Sequence, residues 1–314
     1  MCTDDHTSIL LCGIPSEPPL ALVRERLADL GVRYVVMAQR QVADADVELE
    51  VRAGRPTGTL SIDGCAHPLE SFDGVYLRLM DDAHLPELRG EPVDGLARVH
   101  SRAVHELLMQ WAEITTARVL NRPSAMASNG SKPFQAQLIA AQGFRVPETL
   151  ITSEPDLARA FIERHRDIVY KSISGVRSIV RRFESLDRRR LDHIAWCPVQ
   201  FQEMVTGVDV RVHTVGREVF ATAIRSDAAD YRYAHQSTGS DVAISPVELS
   251  DELAERCVAL SSALGLGLAG IDLRVSPTGE AYCFEVNPCP SFSYYEANTG
   301  QPIAAAIARY LAGS

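Results

Sequence analysis

The chain has 314 residues, enough for a sizeable buried core and two or three folding units. Its formal net charge of -10 argues against a protein built to neutralise nucleic-acid phosphates, and 46% hydrophobic with 23% charged residues is ordinary for a globular chain. Seven scattered cysteines, never spaced C-x-x-C, read as free thiols in a reducing compartment and exclude a disulfide framework or zinc knuckle.

The first six residues lack a basic region, and the apolar run at 9–14 is too short for a signal sequence or membrane span. A cytoplasmic protein with no membrane partner is expected. Residues 8–12 then read as a strand, broken by Gly13-Ile14-Pro15. Residues 19–30 have helical spacing, and 32–37 are again strand-like. This βαβ opening predicts a parallel sheet. Shorter strands are expected at 47–51, 59–62 and 75–79, and a long helix at 93–114, before the turn cluster Asn121-Arg122-Pro123.

Beyond that turn the pattern predicts a helix from Ser131 to Gly143, a strand at 148–151 and a helix at 154–165 capped by Ser153. Strands at 168–173 and 179–183 follow, with an arginine-rich turn or helix after them. The last section is mostly strands, at 199–204, 208–215, 219–224, 268–275 and 281–286. Helices at 251–264 and 303–311 are expected to cover them. Residues 226–241 read as a long polar loop of the kind that often carries function. The division expected is 1–120, 121–198 and 199–314, with α/β character first and α+β character in the C-terminal part.

The strongest chemical signal is a pair of strands, Gly270-Ile271-Asp272-Leu273-Arg274 and Cys283-Phe284-Glu285-Val286-Asn287-Pro288, joined through Pro277-Thr278-Gly279. Strand side chains alternate, so Asp272 and Arg274 share one face, as do Glu285 and Asn287. With the turn centred near Thr278 and Gly279, Asp272 lies opposite Glu285, with Cβ atoms about 5 Å apart. Two carboxylates and an amide oxygen converging there suit Mg²⁺. Ile271, Leu273, Phe284 and Val286 would form the apolar opposite face. The competing reading is a solvated polar face on a surface hairpin. Asp209 and Arg211 repeat the spacing on 208–215. Arg274 and Arg211 could steady phosphate or an anionic transition state, or be structural ion pairs.

Of the 31 basic residues, only Lys132 and Lys171 are lysines. With these residues in hand, the chain resembles the ATP-grasp superfamily. It looks most like the branch of ribosomal-protein glutamate ligases and microviridin-type peptide ligases. The resemblance runs from about Asn121 onward; the first section matches only in general shape. It implies an ATP-grasp fold with an N-terminal parallel-sheet domain, a lid, and a C-terminal, mainly antiparallel subdomain. Asp272, Glu285 and Asn287 match the family's magnesium pattern. Lys132 and Lys171 match its phosphate-binding lysines. Gln202, Glu203, Met204 and Val205 match its adenine hinge, and Asp209 a downstream acidic position facing the nucleotide.

What the resemblance implies is a ligase that uses ATP and two Mg²⁺ ions, with Mn²⁺ as a substitute, to make an amide through an acyl phosphate. The substrate, small molecule or peptide, brings a carboxylate and an amine; no nucleic acid is involved. Arg274 and Arg211 are the catalytic candidates. A small-molecule kinase and a non-catalytic nucleotide-binding module are the alternatives. Whether the protein is a homodimer or higher homo-oligomer stays open. Three departures stand out: a single glycine, Gly175, follows Lys171, with Arg177 able to take part of that phosphate contact; Ala234 replaces an asparagine of the glutamate ligases; and no G-x-x-x-x-G-K-[ST] loop is present. Lesser candidates are Arg78 for a substrate carboxylate or a surface ion pair, and Ser291, Ser293, Tyr294 and Tyr295 beside the acceptor. The arginines 181, 182, 188, 189 and 190 could dock an acidic peptide or form a solvated face, and His235 could act as a base.

Overall fold

The structure, a computed structural model, describes residues 8–173, 180–184, 187–225 and 243–314. The first strand, β1 (Ser8–Gly13), is apolar and buried along nearly its whole length. That is the signature of a strand covered on both faces. Helix α1 (Pro18–Asp29) opens on prolines, whose missing N–H costs nothing in the first turn, and buries Leu20, Val23 and Leu27. Then come β2 (Arg33–Ala38), β3 (Ala45–Arg52), β4 (Arg55–Ile62), β5 (Cys65–Pro68) and β6 (Gly74–Leu77). Helix α2 (Leu96–Ile114) precedes β7 (Arg118–Leu120). The expected parallel sheet forms, in the order β2-β1-β6-β7, while β3, β4 and β5 make a small antiparallel sheet beside it. Neither β5 nor β7 was foreseen from the sequence.

The Asn121-Arg122-Pro123 turn does more than interrupt the chain. Arg122 donates to the carbonyls of Ala112, Glu113 and Thr115, satisfying the C-terminal end of α2. The buried Asn121 side chain donates to the carbonyls of Leu268 and Pro288 and accepts from the N–H groups of Gly267 and Leu268. It thereby ties this turn to both ends of the hairpin that carries the site.

Two short helices follow, α3 (Pro123–Met126) and α4 (Lys132–Ala141). Next are β8 (Thr149–Thr152), α5 (Pro155–His165), β9 (Ile168–Ser172), β10 (Arg181–Arg182) and β11 (Val199–Glu203). Glu154, not Ser153, occupies the cap of α5, and no side chain caps it. Proline at the first helical position leaves one fewer N–H to satisfy. The sheet order is β10-β9-β11-β8, over a core of Phe161, Ile162, Ile168, Leu191 and Phe201. This sheet takes in Val199–Glu203, residues that the sequence pattern grouped with the C-terminal strands.

The last sheet, order β14-β13-β12-β15-β16, is antiparallel throughout. It comprises β12 (Val208–Val215), β13 (Glu218–Arg225), β14 (Ala243–Val247), β15 (Leu268–Val275) and β16 (Ala281–Asn287). Helix α6 (Asp251–Ala263), capped by Ser250, packs against its inner strands. Helix α7 (Ser293–Thr299) follows the hairpin, then α8 (Ile303–Ala312). The sequence placed α8 over the C-terminal strands. It touches β12, but its apolar faces also pack on α1, β1, β6 and β7. A Cβ on Gly74 would lie 2.5 Å from the Leu311 carbonyl, so glycine there permits this close approach.

Candidate active site

Across β15 and β16, Asp272 pairs with Glu285 and Gly270 with Asn287, the register read from the sequence. A bulge between Asp272 and Leu273 then shifts the pairing, so that Leu273 faces Cys283. The extra residue re-aims its neighbours. Cys283 points into the core with Val286, and Phe284, expected in the apolar face, instead lines the cleft under the Arg274 guanidinium at 5.3 Å.

Strand β12 lies antiparallel to β15 and opposes Asp209 to Arg274 and Arg211 to Asp272. Each strand therefore offers one acid and one arginine, and the pairs close reciprocally. Arg211 Nη1 lies 2.6 Å from Asp272 Oδ1. Arg274 grips Asp209 through Nε at 2.7 Å and Nη2 at 2.9 Å, and its Nη1 donates to the Val205 carbonyl at 2.9 Å. Both arginines are thus held in place by ion pairs on the cleft face.

Behind Arg211 stands His213, fully buried and missed from the sequence, although it continues the same-face spacing of Asp209 and Arg211. Its ring lies 4.9 Å from that of Tyr295, and its Nε2 is 3.5 Å from Arg211 Nε. Burial, then the neighbouring Arg211 charge, hold the imidazole well below its ordinary pKa, so it is neutral. With Nε2 facing a cation, the proton belongs on Nδ1, which has no hydrogen-bond partner among the described residues. A Cβ on Gly270 would meet Arg211 Nη2 at 2.1 Å, so glycine gives that guanidinium its room.

Lys132, at the start of α4, reaches Glu285 Oε2 at 3.1 Å and Asn129 Oδ1 at 2.8 Å. Burial alone would raise the Glu285 carboxyl, but Lys132, then Lys171 and Arg211, bring it below the ordinary carboxylate value. A cavity of about 550 Å³ is lined by Lys132, Lys171, Gln202, Glu203, Met204, Val205, Asp209, Arg211, Asp272, Arg274 and Glu285 among others. Asn287 is not among its lining residues; it lies two residues beyond Glu285, and its Oδ1 accepts from Cys289 N–H at 2.9 Å. Along residues 202–204, Gln202 donates to Thr149 Oγ1, the Glu203 side chain accepts from Glu148 N–H, and Met204 N–H donates to the Asp167 carbonyl.

Among the described residues no three His, Cys, Asp or Glu side chains cluster as metal ligands. The oxygen donors that line the cleft here are the carboxylates of Asp272 and Glu285. Opposed carboxylates, each 27% exposed and each matched by a cation, fit Mg²⁺, which takes a few hard oxygens and completes its shell elsewhere.

Other expectations fare differently. Arg78 is buried, so it is no surface ion pair. It grips Glu17 at 2.8 and 2.5 Å and reaches the Pro290 carbonyl at 3.3 Å, bracing the loop after Asn287. Tyr294 is half exposed, whereas Tyr295 is buried under Arg211. In the arginine cluster, Arg182 pairs with Asp167. Arg177, Ala234, His235 and the side chains of Arg188 and Arg189 lie outside the described residues.

The cleft lies within a stretch of the chain that matches a known family. Residues 130–311 match the RimK-like ATP-grasp domain, and the chain belongs to that family. A probable alpha-L-glutamate ligase of Xanthomonas oryzae pv. oryzae is 27% identical over 281 residues, covering 83% of this chain and 91% of the relative. One from Xylella fastidiosa is 27% identical over 253 residues, covering 75% of this chain and 83% of the relative. Among solved structures, the ATP-grasp ligase PsnB, complexed with minimal precursor, Mg and ADP, superposes with a TM-score of 0.79. It is 27% identical, and the match covers 100% of this chain and 99% of PsnB. A Chryseobacterium gregarium RiPP-associated ATP-grasp ligase shares the fold at a TM-score of 0.82 and 23% identity, covering 98% and 97% of the two chains. The protein is an ATP-dependent ligase that joins a carboxylate to an amine; a kinase or a non-catalytic module is not favoured.

Proposed function

We propose that the protein acts on a peptide, activating one of its carboxylates as an acyl phosphate and passing the acyl group to an amine, with ADP and phosphate as products. The observation that carries the chemistry is the in-register opposition of Asp272 and Glu285 in a cavity that both lysines also line. A peptide is favoured over a free amino acid because PsnB, similar along nearly the whole chain, is also found complexed with the precursor peptide PsnA2.

Asp272, Glu285 and Asn287 would hold two Mg²⁺ ions, for which Mn²⁺ could substitute. When bound, Mg²⁺ would neutralise the phosphate oxygens and the charge that develops on ADP as it leaves. Lys132 and Lys171 hold phosphate oxygens. Backbone groups of Glu203 and Val205 read adenine, Gln202 and Met204 complete that wall, and Asp209 faces the nucleotide with Arg274 fixed against it. The substrate carboxylate attacks the γ-phosphorus and ADP leaves. The amine then attacks the acyl carbon, and Arg211 and Arg274 steady the oxyanion before phosphate departs. The sheet of β8–β11 acts as the lid that keeps water from the acyl phosphate. We place the protein in the cytoplasm. The described cysteines are all free, and among the described residues no helix is long and apolar enough to cross a membrane.

The test is incubation with Mg·ATP and a pool of acidic and lysine-containing peptides, reading phosphate release and product mass. Phosphate plus a product lighter than its substrates by one water, both lost in Glu285→Ala, is the expected result. A stable phosphopeptide without free phosphate would make the protein a kinase instead.

A further inference from the structure

Both Glu285 and Asn287 sit on β16, the outermost strand of its sheet. An edge strand leaves one row of backbone N–H and C=O groups without a strand partner, and such strands fray or slip unless something covers them. Here a single side chain does so at the residue between the two site groups. Gln135 Nε2 donates to the Val286 carbonyl at 2.8 Å, and Gln135 Oε1 accepts from the Val286 N–H at 3.0 Å. The amide thus pairs with β16 as one residue of a neighbouring strand would. Gln135 is 1% exposed, so water is no substitute partner. Further along the same edge the Arg145 carbonyl accepts from Cys283 N–H at 2.9 Å. Gln135 also lies three residues after Lys132 on α4, so one helical turn carries both the lysine that meets Glu285 and the amide that fixes its backbone.

We infer that Gln135 is a positioning residue of this site. It pins the Val286 peptide groups, sets the flanking Glu285 and Asn287 at a fixed separation, and locks the metal-holding strand to the helix bearing Lys132. The inference rests on the reading of Glu285 and Asn287 as the groups that hold Mg²⁺. Removing the amide leaves two buried backbone groups unpaired and lets the edge strand move, which shifts Glu285 and Asn287 relative to Asp272 on β15.

The experiment is a calorimetric Mg²⁺ titration of ADP binding, alongside thermal melting, for wild type, Gln135→Leu, Thr214→Val and Glu285→Ala. Thr214 bonds to Ser261 in the core, on a strand that does not itself pair with β16, so its loss lowers Tm by loosening the core. Gln135→Leu should raise the Mg²⁺ half-saturation point by about 10-fold or more, the usual effect of losing a group that orients ligands. Thr214→Val should leave it unchanged. Should Gln135→Leu not fold, Gln135→Asn, one methylene too short to reach both partners, is read in the same way. A half-saturation point in the Gln135 variant no different from that of Thr214→Val would overturn the inference. If Glu285→Ala leaves the Mg²⁺ dependence intact, the reading of the metal groups fails instead, a separable result.

Discussion

Arginines of the cleft and arginines of helix α5 and strand β10 are both paired with acids, but in different surroundings. Arg211 and Arg274 have side chains 7% and 18% exposed and reach across adjacent strands to Asp272 and Asp209. Arg159, Arg164 and Arg182 are 43%, 62% and 55% exposed and meet acids on the open surface. Water and salt screen the second group, whose long side chains gain little from being held. In the cleft, low exposure and fixed register turn the same chemistry into oriented charge. Arginine content alone therefore says little about the site; strand pairing decides which guanidinium can act.

The comparison is tested most severely by Arg211→Ala. It should lower ATP-dependent phosphate release by about 10²–10³-fold, the usual loss for a donor that steadies a developing anion. A variant of near wild-type activity would put Arg211 on a par with the surface arginines. Arg274→Ala should come next, costing about 2–3 kcal/mol in urea unfolding because Asp209 loses a two-pronged partner. Its KM for ATP should rise as well.

A smaller effect is expected from His213, read through pH. Its native pKa lies well below the ordinary 6.5, so between those values the unfolded chain binds a proton that the native state refuses. Stability should therefore fall as pH drops through 6.5, by at most about 1.4 kcal/mol per unit, and level off below the native pKa. Denaturant midpoints across this range should lose that component in His213→Leu. At the small end, Arg159→Ala and Arg182→Ala should leave the unfolding midpoint unchanged within measurement, at low and high salt alike. A clear shift would erase the contrast between cleft and open surface.

The register of the carboxylate hairpin was legible because strand alternation and a turn signal are local properties: three residues of turn chemistry suffice to set Asp272 against Glu285. The bulge that moves Phe284 into the cleft was not, since an extra residue in a ladder leaves no mark in composition. Asn121 and Gln135 could not be recognised as clamps, because their backbone partners lie 147 and 151 residues away. Arg78 looked like a surface group for a related reason: burial depends on Glu17, 61 residues off, and on the loop after Asn287. Short polar α7 and strand β14 carry too little periodicity to stand out.

Helix α8 closes a core whose other walls are α1, β1 and β6, from the opposite end of the sequence. During synthesis the opening βαβ unit emerges first, yet it keeps an apolar face until residues 303–312 arrive. Its completion therefore waits on every residue between them, and a ribosome stalled before this helix would hold that core unfinished.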